Sequence, residues 1–341
     1  MLNEKPLVSV YCLAYNHEKY IRQCLDGFVN QKASFSFEVI VHDDASTDHT
    51  QEIIREYEAR YPEIIHGIYQ TENQRQKKVP KLKTFILPLV KGKYVAICEG
   101  DDYWTDDNKL QSQVDLMEQN QDAHFCVCGV QEVSENGRIL GISHPSIDIE
   151  ETIIPSTDFV RYAGTYSFQT SSYLMRTDDW KEYVLNPPEF RKVSDIGDLP
   201  ILLYFGSMGN TVYVNRFMSC YRRGAPTSYS AKKNNWTEEK RIAHFEKAIK
   251  VWGCFDQYSK GFYHEVCAEK ISQNMFGYAL LRLDAKSFLK NENKEYYYKL
   301  PLPKQGYILL ACVLKKVMKK HYLNTQLHIE RKELEAWARA E

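Results

Sequence analysis

The sequence predicts an α/β fold, a mostly parallel sheet with helices on both faces, followed by a helical C-terminal region. Three observations predict it. Short apolar runs rich in β-branched residues alternate with amphipathic stretches over about the first 120 residues. Several of these runs end in polar or acidic clusters, at the edge where open sheets of this kind bind ligands. From Trp236 onward the strand-like runs give way to helical spacing.

Leu7-Val8-Ser9-Val10-Tyr11-Cys12-Leu13 reads as a first interior strand. The polar elbow Ala14-Tyr15-Asn16-His17-Glu18 leads to a helix whose Ile21, Leu25, Phe28 and Val29 keep helical spacing. Residues 37–42 form the next strand, and Asp43-Asp44-Ala45-Ser46-Thr47-Asp48 stands at its carboxyl end, ahead of a helix carrying Ile53, Ile54 and Tyr57. Residues 64–69 give a third strand, 82–90 a short helix and 94–98 a strand that runs into Glu99-Gly100-Asp101-Asp102-Tyr103-Trp104.

Carboxylates at the end of a buried strand must be hydrated, paired or bound to a cation. If strand geometry persists, Glu99 and Asp101 project to one face and share one hard divalent ion, while Asp102 faces elsewhere or adds a third oxygen. Thr105-Asp106-Asp107 are expected to cap the following helix, which carries Leu110, Val114, Leu116 and Met117. The clusters Tyr15-Asn16, Asp43-Asp44 and Glu99-Asp101-Asp102 are expected to converge on one crevice.

Composition narrows the function classes. A chain of 341 residues with 43% hydrophobic content can bury a large core, and its net charge of −1 gives no global attraction for nucleic acid. The 24 tyrosines suit stacking on hydroxyl-rich ligands and equally suit a Tyr-rich core. Nine scattered cysteines with no CxxC pair read as reduced, mostly buried thiols of a cytosolic protein. The opening Met1-Leu2-Asn3-Glu4-Lys5-Pro6 lacks the apolar core of a signal peptide, and no run reaches about 18 apolar residues, so a cytoplasmic location is expected. GxGxxG and GxxxxGK[ST] are absent, which disfavours dinucleotide oxidoreductases and P-loop enzymes.

Three stretches resemble, in order and spacing, the signatures of family 2 glycosyltransferases with the GT-A fold, of the inverting bacterial polysaccharide and lipopolysaccharide type. They are Val8-Ser9-Val10 through Tyr15-Asn16, then Val41-His42-Asp43-Asp44-Ala45-Ser46-Thr47-Asp48, then Lys91-Gly92-Lys93-Tyr94-Val95 leading to Glu99-Gly100-Asp101-Asp102. The resemblance implies a nucleotide-diphospho-sugar donor such as a UDP-sugar, a divalent cation (Mn²⁺ or Mg²⁺), and inversion by direct displacement. It places Ala14, Tyr15, Asn16 and Glu18 at the donor, Asp44 on the base, Glu99 near the ribose, and Asp101 with Asp102 at the metal. Glu99 departs from the usual Asp-x-Asp-Asp.

In Ser194-Asp195-Ile196-Gly197-Asp198-Leu199-Pro200, Asp198 lies where the family carries its catalytic carboxylate, usually Glu-Asp and here Gly-Asp. A general base must stay ionised within reach of the acceptor hydroxyl. Alternatively Asp195 is that base, or either residue only caps the helix through Ile201, Leu202 and Tyr204. Arg222 and Arg223 match, in position and charge, a residue that closes over the diphosphate in relatives, or else form a solvated loop pair; the expected histidine is absent.

Beyond the donor half, residues 124–133 and 139–142 are expected to form a hairpin about Glu135-Asn136-Gly137, residues 168–175 another strand, and 210–215 with 217–221 a final strand pair. The chain thus divides into a GT-A domain over 1–230, with a donor half to about 120 and an acceptor half from about 121, and a helical region over 231–341. Helices are expected at 237–258, 263–283, 304–321 and 327–338. The apolar run 307–314 followed by lysines suits an anionic membrane surface, the catalytic domain or a second subunit.

The acceptor is then a glycan or lipid-linked glycan. Two other classes remain as alternatives. A nucleotidyltransferase would need a glycine-rich basic loop where Ala14–Glu18 stands, and a non-catalytic sugar-binding module would not need carboxylates grouped in one crevice.

Overall fold

The computed structural model describes residues 5–150, 152–165, 168–224, 236–282, 291–300, 302, 305–306 and 308. The chain divides into two compact units, Met1–Pro187 with Ile201–Asn234, and Pro188–Pro200 with Asn235–Glu341. The division differs from the one expected near residue 230, because the segment 188–200, which carries Asp195 and Asp198, groups with the C-terminal helices.

The first unit holds strands β1 (Val8–Ala14), β2 (Phe37–Asp43), β3 (Ile65–Tyr69), β4 (Tyr94–Ile97), β5 (Tyr103–Trp104), β6 (Phe125–Val133), β7 (Ile139–His144), β8 (Ile153–Ile154), β9 (Leu174–Arg176) and β10 (Thr211–Arg222). Its helices are α1 (Ile21–Val29), α2 (Thr50–Arg60), α3 (Lys109–Gln119), α4 (Ser156–Ala163) and α5 (Thr177–Leu185). The main path of the sheet runs β3-β2-β1-β4-β9-β6-β10-β5. Its longest pairings, β1 with β2 and β6 with β10, are parallel, as are β2 with β3 and β1 with β4. The antiparallel pairings are short, and each involves a strand from β5 onward.

β1 is buried along nearly its whole length, as its run of apolar residues on both faces requires. Val8, Val10 and Cys12 join Val39 and Val41 of β2 and Ala96 of β4 in one core, closed by Ile21, Leu25 and Phe28 of α1, Ile54 of α2, and Leu110, Val114 and Met117 of α3. Ser9 is the polar exception. Its hydroxyl donates to Glu38 at 2.6 Å and accepts the Gly92 N–H at 2.8 Å. A Cβ at Gly92 would meet the Ser9 nitrogen at 2.5 Å, so this turn into β4 needs glycine.

Four local expectations change. Residues 82–86 form one wide turn closed by the Leu87 N–H on the Leu82 carbonyl, and Pro88 prevents its extension as a helix. α3 starts at Lys109 with Asn108 at its boundary, so Thr105 does not cap it, because Tyr103–Trp104 pairs with Ser219–Cys220 and the Thr105 N–H bonds to the Met218 carbonyl. Asp106 still serves that helix end, accepting the Asn108 N–H at 2.8 Å. Residues 168–175 are mostly not a strand: Thr170–Ser172 is a tight turn whose carbonyls accept from Trp104 Nε1 and Gln113 Nε2, which leaves only Leu174–Arg176 for the sheet. The expected final pair is one strand, β10, with a register shift between Val214 and Phe217. The hairpin of β6 and β7 forms as expected, with Gly137 at φ +81.

The second unit contains α6 (Glu189–Val193), α8 (Glu238–Tyr258), α9 (His264–Arg282) and α10 (Asn291–Lys299), and α7 (Asp198–Ser207) begins in it and continues into the first. Phe190 of α6 packs edge-on against Phe255 of α8 at 5.4 Å. Thr237 caps α8, accepting the Lys240 N–H. The helix at 291–299 was not anticipated, while the expected helices at 327–338 and, almost entirely, 304–321 lie outside the described residues, as does most of the apolar run 307–314. Among the described residues no helix is long and apolar enough to cross a membrane. All eight described cysteines are free and seven are buried.

Candidate active site

β1 lies between β2 and β4, and Ala14 is level with Asp43 in the parallel register, so the three polar clusters leave the sheet at the same edge. Hydrogen bonds then join them. The Ala14 carbonyl accepts the Asp44 N–H at 3.0 Å, and the Leu13 carbonyl accepts the Gly100 N–H at 3.0 Å. Asn16, at φ 55, donates its N–H to the Ser46 hydroxyl at 2.9 Å and accepts the Thr47 N–H on its side chain at 2.9 Å. Glu18 donates its N–H to Asp48 at 3.1 Å and accepts the His49 N–H at 3.1 Å. Tyr15 is half-buried beside them.

The two aspartates after β2 have separate tasks. Asp43, wholly buried, is absorbed by Ser46 and by Gln51 Nε2 at 2.7 Å, which shapes the loop. Asp44, also buried, accepts the N–H of Gln74 at 2.7 Å and of Arg75 at 3.3 Å, with the Lys81 ammonium at 3.2 Å.

The acidic stretch is a turn rather than an extension of β4. The strand stops at Ile97, and the Asp102 N–H closes on the Glu99 carbonyl at 3.0 Å. Strand alternation therefore does not place Glu99 and Asp101 on one face. Glu99 is exposed, Asp101 half-buried and Asp102 buried. The Asp102 carboxylate accepts the Arg222 N–H at 2.8 Å. Burial lifts its carboxyl well above the usual carboxylate range, the Asp101 charge adds to that, and the Arg222 N–H opposes it.

Among the described residues no group of three or more His, Cys, Asp or Glu side chains is arranged to hold a metal ion. The residues present nevertheless fit a hard divalent ion of the kind held by one or two carboxylates plus substrate phosphates and water. Asp101 is the partly accessible carboxylate of the pair, and Asp102 is the buried one, held by the Arg222 N–H.

His17 belongs to this edge although the reading of the elbow gave it no role. It is 8% exposed, and its Nδ1 has no hydrogen-bond partner among the described residues. A Cβ on Gly100 would meet that atom at 2.8 Å, so the bare glycine lets the acidic turn lie against the imidazole. Burial lowers the pKa of His17, against the raising effect of Asp101, Asp48 and Asp43. The signal available in the sequence was the glycine inside the acidic run.

The two arginines are less free than expected. Arg222 is 3% exposed and its side chain donates to the carbonyls of Asp101 and Glu135 and to Gln23, so a direct grip on the diphosphate does not fit its placement. Arg223 bonds the buried Glu132 carboxylate, which also takes His144 Nε2 at 2.7 Å.

In the second unit, Asp198 opens α7. Its residue is exposed, yet protein crowds the carboxyl enough that lost hydration raises its pKa, against its own backbone N–H and the Arg191 charge. Asp195 is committed to His244 at 3.7 Å and Lys247 at 3.3 Å.

Residues 9–183 match the family described as Glycosyl transferase family 2, and the chain belongs to that family. The Bacillus subtilis protein TuaG, described as a putative teichuronic acid biosynthesis glycosyltransferase, is 30% identical over 268 residues, covering 76% of this chain and 97% of that protein. The uncharacterized Mycobacterium tuberculosis protein Rv1520 is 42% identical over 132 residues, which are 38% of this chain and only 37% of its own length. Among solved structures, residues 1–349 of Staphylococcus aureus TarS in complex with UDP superpose with a TM-score of 0.56 at 17% identity, covering 87% of this chain and 76% of that one. That likeness shows the GT-A fold.

Proposed function

We propose that this glycosyltransferase moves a sugar from a nucleotide-diphospho-sugar, a UDP-sugar in the first instance, to an acceptor hydroxyl of a growing glycan or glycolipid. In this reading the reaction inverts the anomeric carbon and depends on a divalent metal. The observation that carries it is that main-chain N–H groups join the elbow 14–18 to the loop 43–48, and the turn 99–102 to the adjoining Leu13 carbonyl, at one sheet edge. Relatives support it: TuaG, described as a putative teichuronic acid biosynthesis glycosyltransferase, for the glycan, and TarS, solved with UDP and with UDP-GlcNAc, for the donor.

Asp44 would hold the base, Glu99 the ribose, and Asp101 with Asp102 the cation. When bound, Mn²⁺ or Mg²⁺ would supply positive charge against the departing diphosphate. Ala14, Tyr15, Asn16 and Glu18 would shape the donor's seat. Asp198 would take the proton of the attacking hydroxyl, so that its oxygen reaches the anomeric carbon opposite the leaving group and the configuration inverts.

Thermal melting with UDP tests this reading, joined to a screen of nucleotide sugars for Mn²⁺-dependent turnover. UDP at a hundred times its dissociation constant should stabilise the protein by about 2.7 kcal/mol with Mn²⁺ present. Asp101→Asn should abolish the gain. An equal gain in a chelator would remove the metal from the mechanism.

A further inference from the structure

We infer that Arg222 is a positioning residue that fixes the acidic turn for donor binding, an inference that rests on the function proposed above. Arg222 ends β10 and reaches the turn twice. Its backbone N–H bonds the Asp102 carboxylate at 2.8 Å, and its Nε bonds the Asp101 carbonyl at 2.9 Å. Nη1 donates to the Glu135 carbonyl at 2.7 Å, in the β6–β7 hairpin, and Nη2 donates to Gln23 Oε1 at 2.7 Å, on α1. The guanidinium carbon lies 4.8 Å from the Tyr20 ring centroid and 5.3 Å from that of Tyr103.

One planar group therefore ties the turn to a helix, a hairpin and two aromatic rings. Each of these side-chain bonds ends on an uncharged oxygen, so the guanidinium holds the turn through the Asp101 main chain. A lysine keeps the charge but lacks the planar fork and the stacking face. Partners that orient metal ligands typically change metal affinity or activity by about 10- to 100-fold when removed.

The test is titration of the full chain with UDP, in Mn²⁺ and in EDTA, at a temperature where parent and variant are folded. Arg222→Lys should weaken Mn²⁺-dependent UDP binding by about 10- to 100-fold. If Arg222 acts through the turn, Arg222→Lys combined with Asp101→Asn should bind no more weakly than Asp101→Asn alone. Parent-like binding by Arg222→Lys, or losses that simply add, overturns the inference while leaving the function standing. Should Arg222→Lys fail to fold, Gln23→Ala removes a single acceptor: a weakening in the same direction supports the inference, and unchanged binding overturns it. A parent that binds UDP equally in EDTA overturns the function and the inference with it.

Discussion

The Lys81 ammonium stands 3.2 Å from a carboxylate oxygen of Asp44, a residue that also receives the backbone N–H groups of Gln74 and Arg75. Asp44 thus anchors the segment 74–81 to the edge of the sheet from which the elbow and the acidic turn also leave. A single buried carboxylate serves both loop architecture and, in the proposed function, the base.

Asp44→Ala should therefore weaken nucleotide binding without altering the metal requirement. A hydrogen bond to a charged group contributes about 1.5 to 3 kcal/mol, so the loss should be about one to two decades in affinity. Calorimetry with UDP in Mn²⁺ measures it. Lys81→Met, which leaves the Gln74 and Arg75 N–H contacts in place, should bind within a few-fold of the parent. If Lys81→Met matches Asp44→Ala, or if Asp44→Ala binds normally, Asp44 serves the loop and not the base.

How far the sequence foretold this follows from the range of the interactions involved. β1, β2 and β4 were legible because interior parallel strands are apolar on both faces, and the polar breaks after Leu13, His42 and Cys98 marked the site's edge. Local signals failed where groups far along the chain take over the backbone's partners: the Trp104 and Gln113 side chains hold the turn at 170–172, and the Met218 carbonyl holds Thr105 away from helix α3. The burial of Arg222 was illegible for the same reason. Gln23, Asp101, Asp102 and Glu135 come together only once the sheet is ordered, and from charge alone Arg222 and Arg223 look alike. The two differ because Arg222, the last residue of β10, reaches the acidic turn, while Arg223, just past the strand, reaches Glu132.

Glu132 yields a stability prediction. It is wholly buried and bonded to His144 and Arg223; burial alone would raise its pKa, but those two partners outweigh burial and hold it below the usual carboxylate range. A carboxylate with a depressed folded pKa adds stability that is present above its unfolded value, near 4.3, and is lost as pH falls through the folded value. Removing one member of a buried pair costs about 3 to 5 kcal/mol, so Glu132→Gln should lower the melting temperature strongly at neutral pH. The difference between parent and variant should shrink below about pH 4. Melting curves across that range check it, and a difference independent of pH would assign the loss to packing.

The last prediction separates chemistry from capping. Asp198 opens α7, whereas Asp195 is occupied by His244 and Lys247. If Asp198 is the general base, Asp198→Asn should leave UDP and Mn²⁺ affinity nearly intact and lower turnover by about 10² to 10⁴, because the amide is close in shape but cannot take the proton. If Asp198 only caps the helix, Asn serves almost as well and the rate barely moves. The pH profile supplies a second reading. A base must be ionised, and crowding raises the pKa of Asp198, so turnover should fall on the acid side at a pH above that of an ordinary carboxylate, with full rate above that limb. Asp195→Asn should retain both rate and limb. Loss of activity in Asp195→Asn with Asp198→Asn active would move the base by three residues, and two active variants with a verified acceptor would leave neither carboxylate as the base.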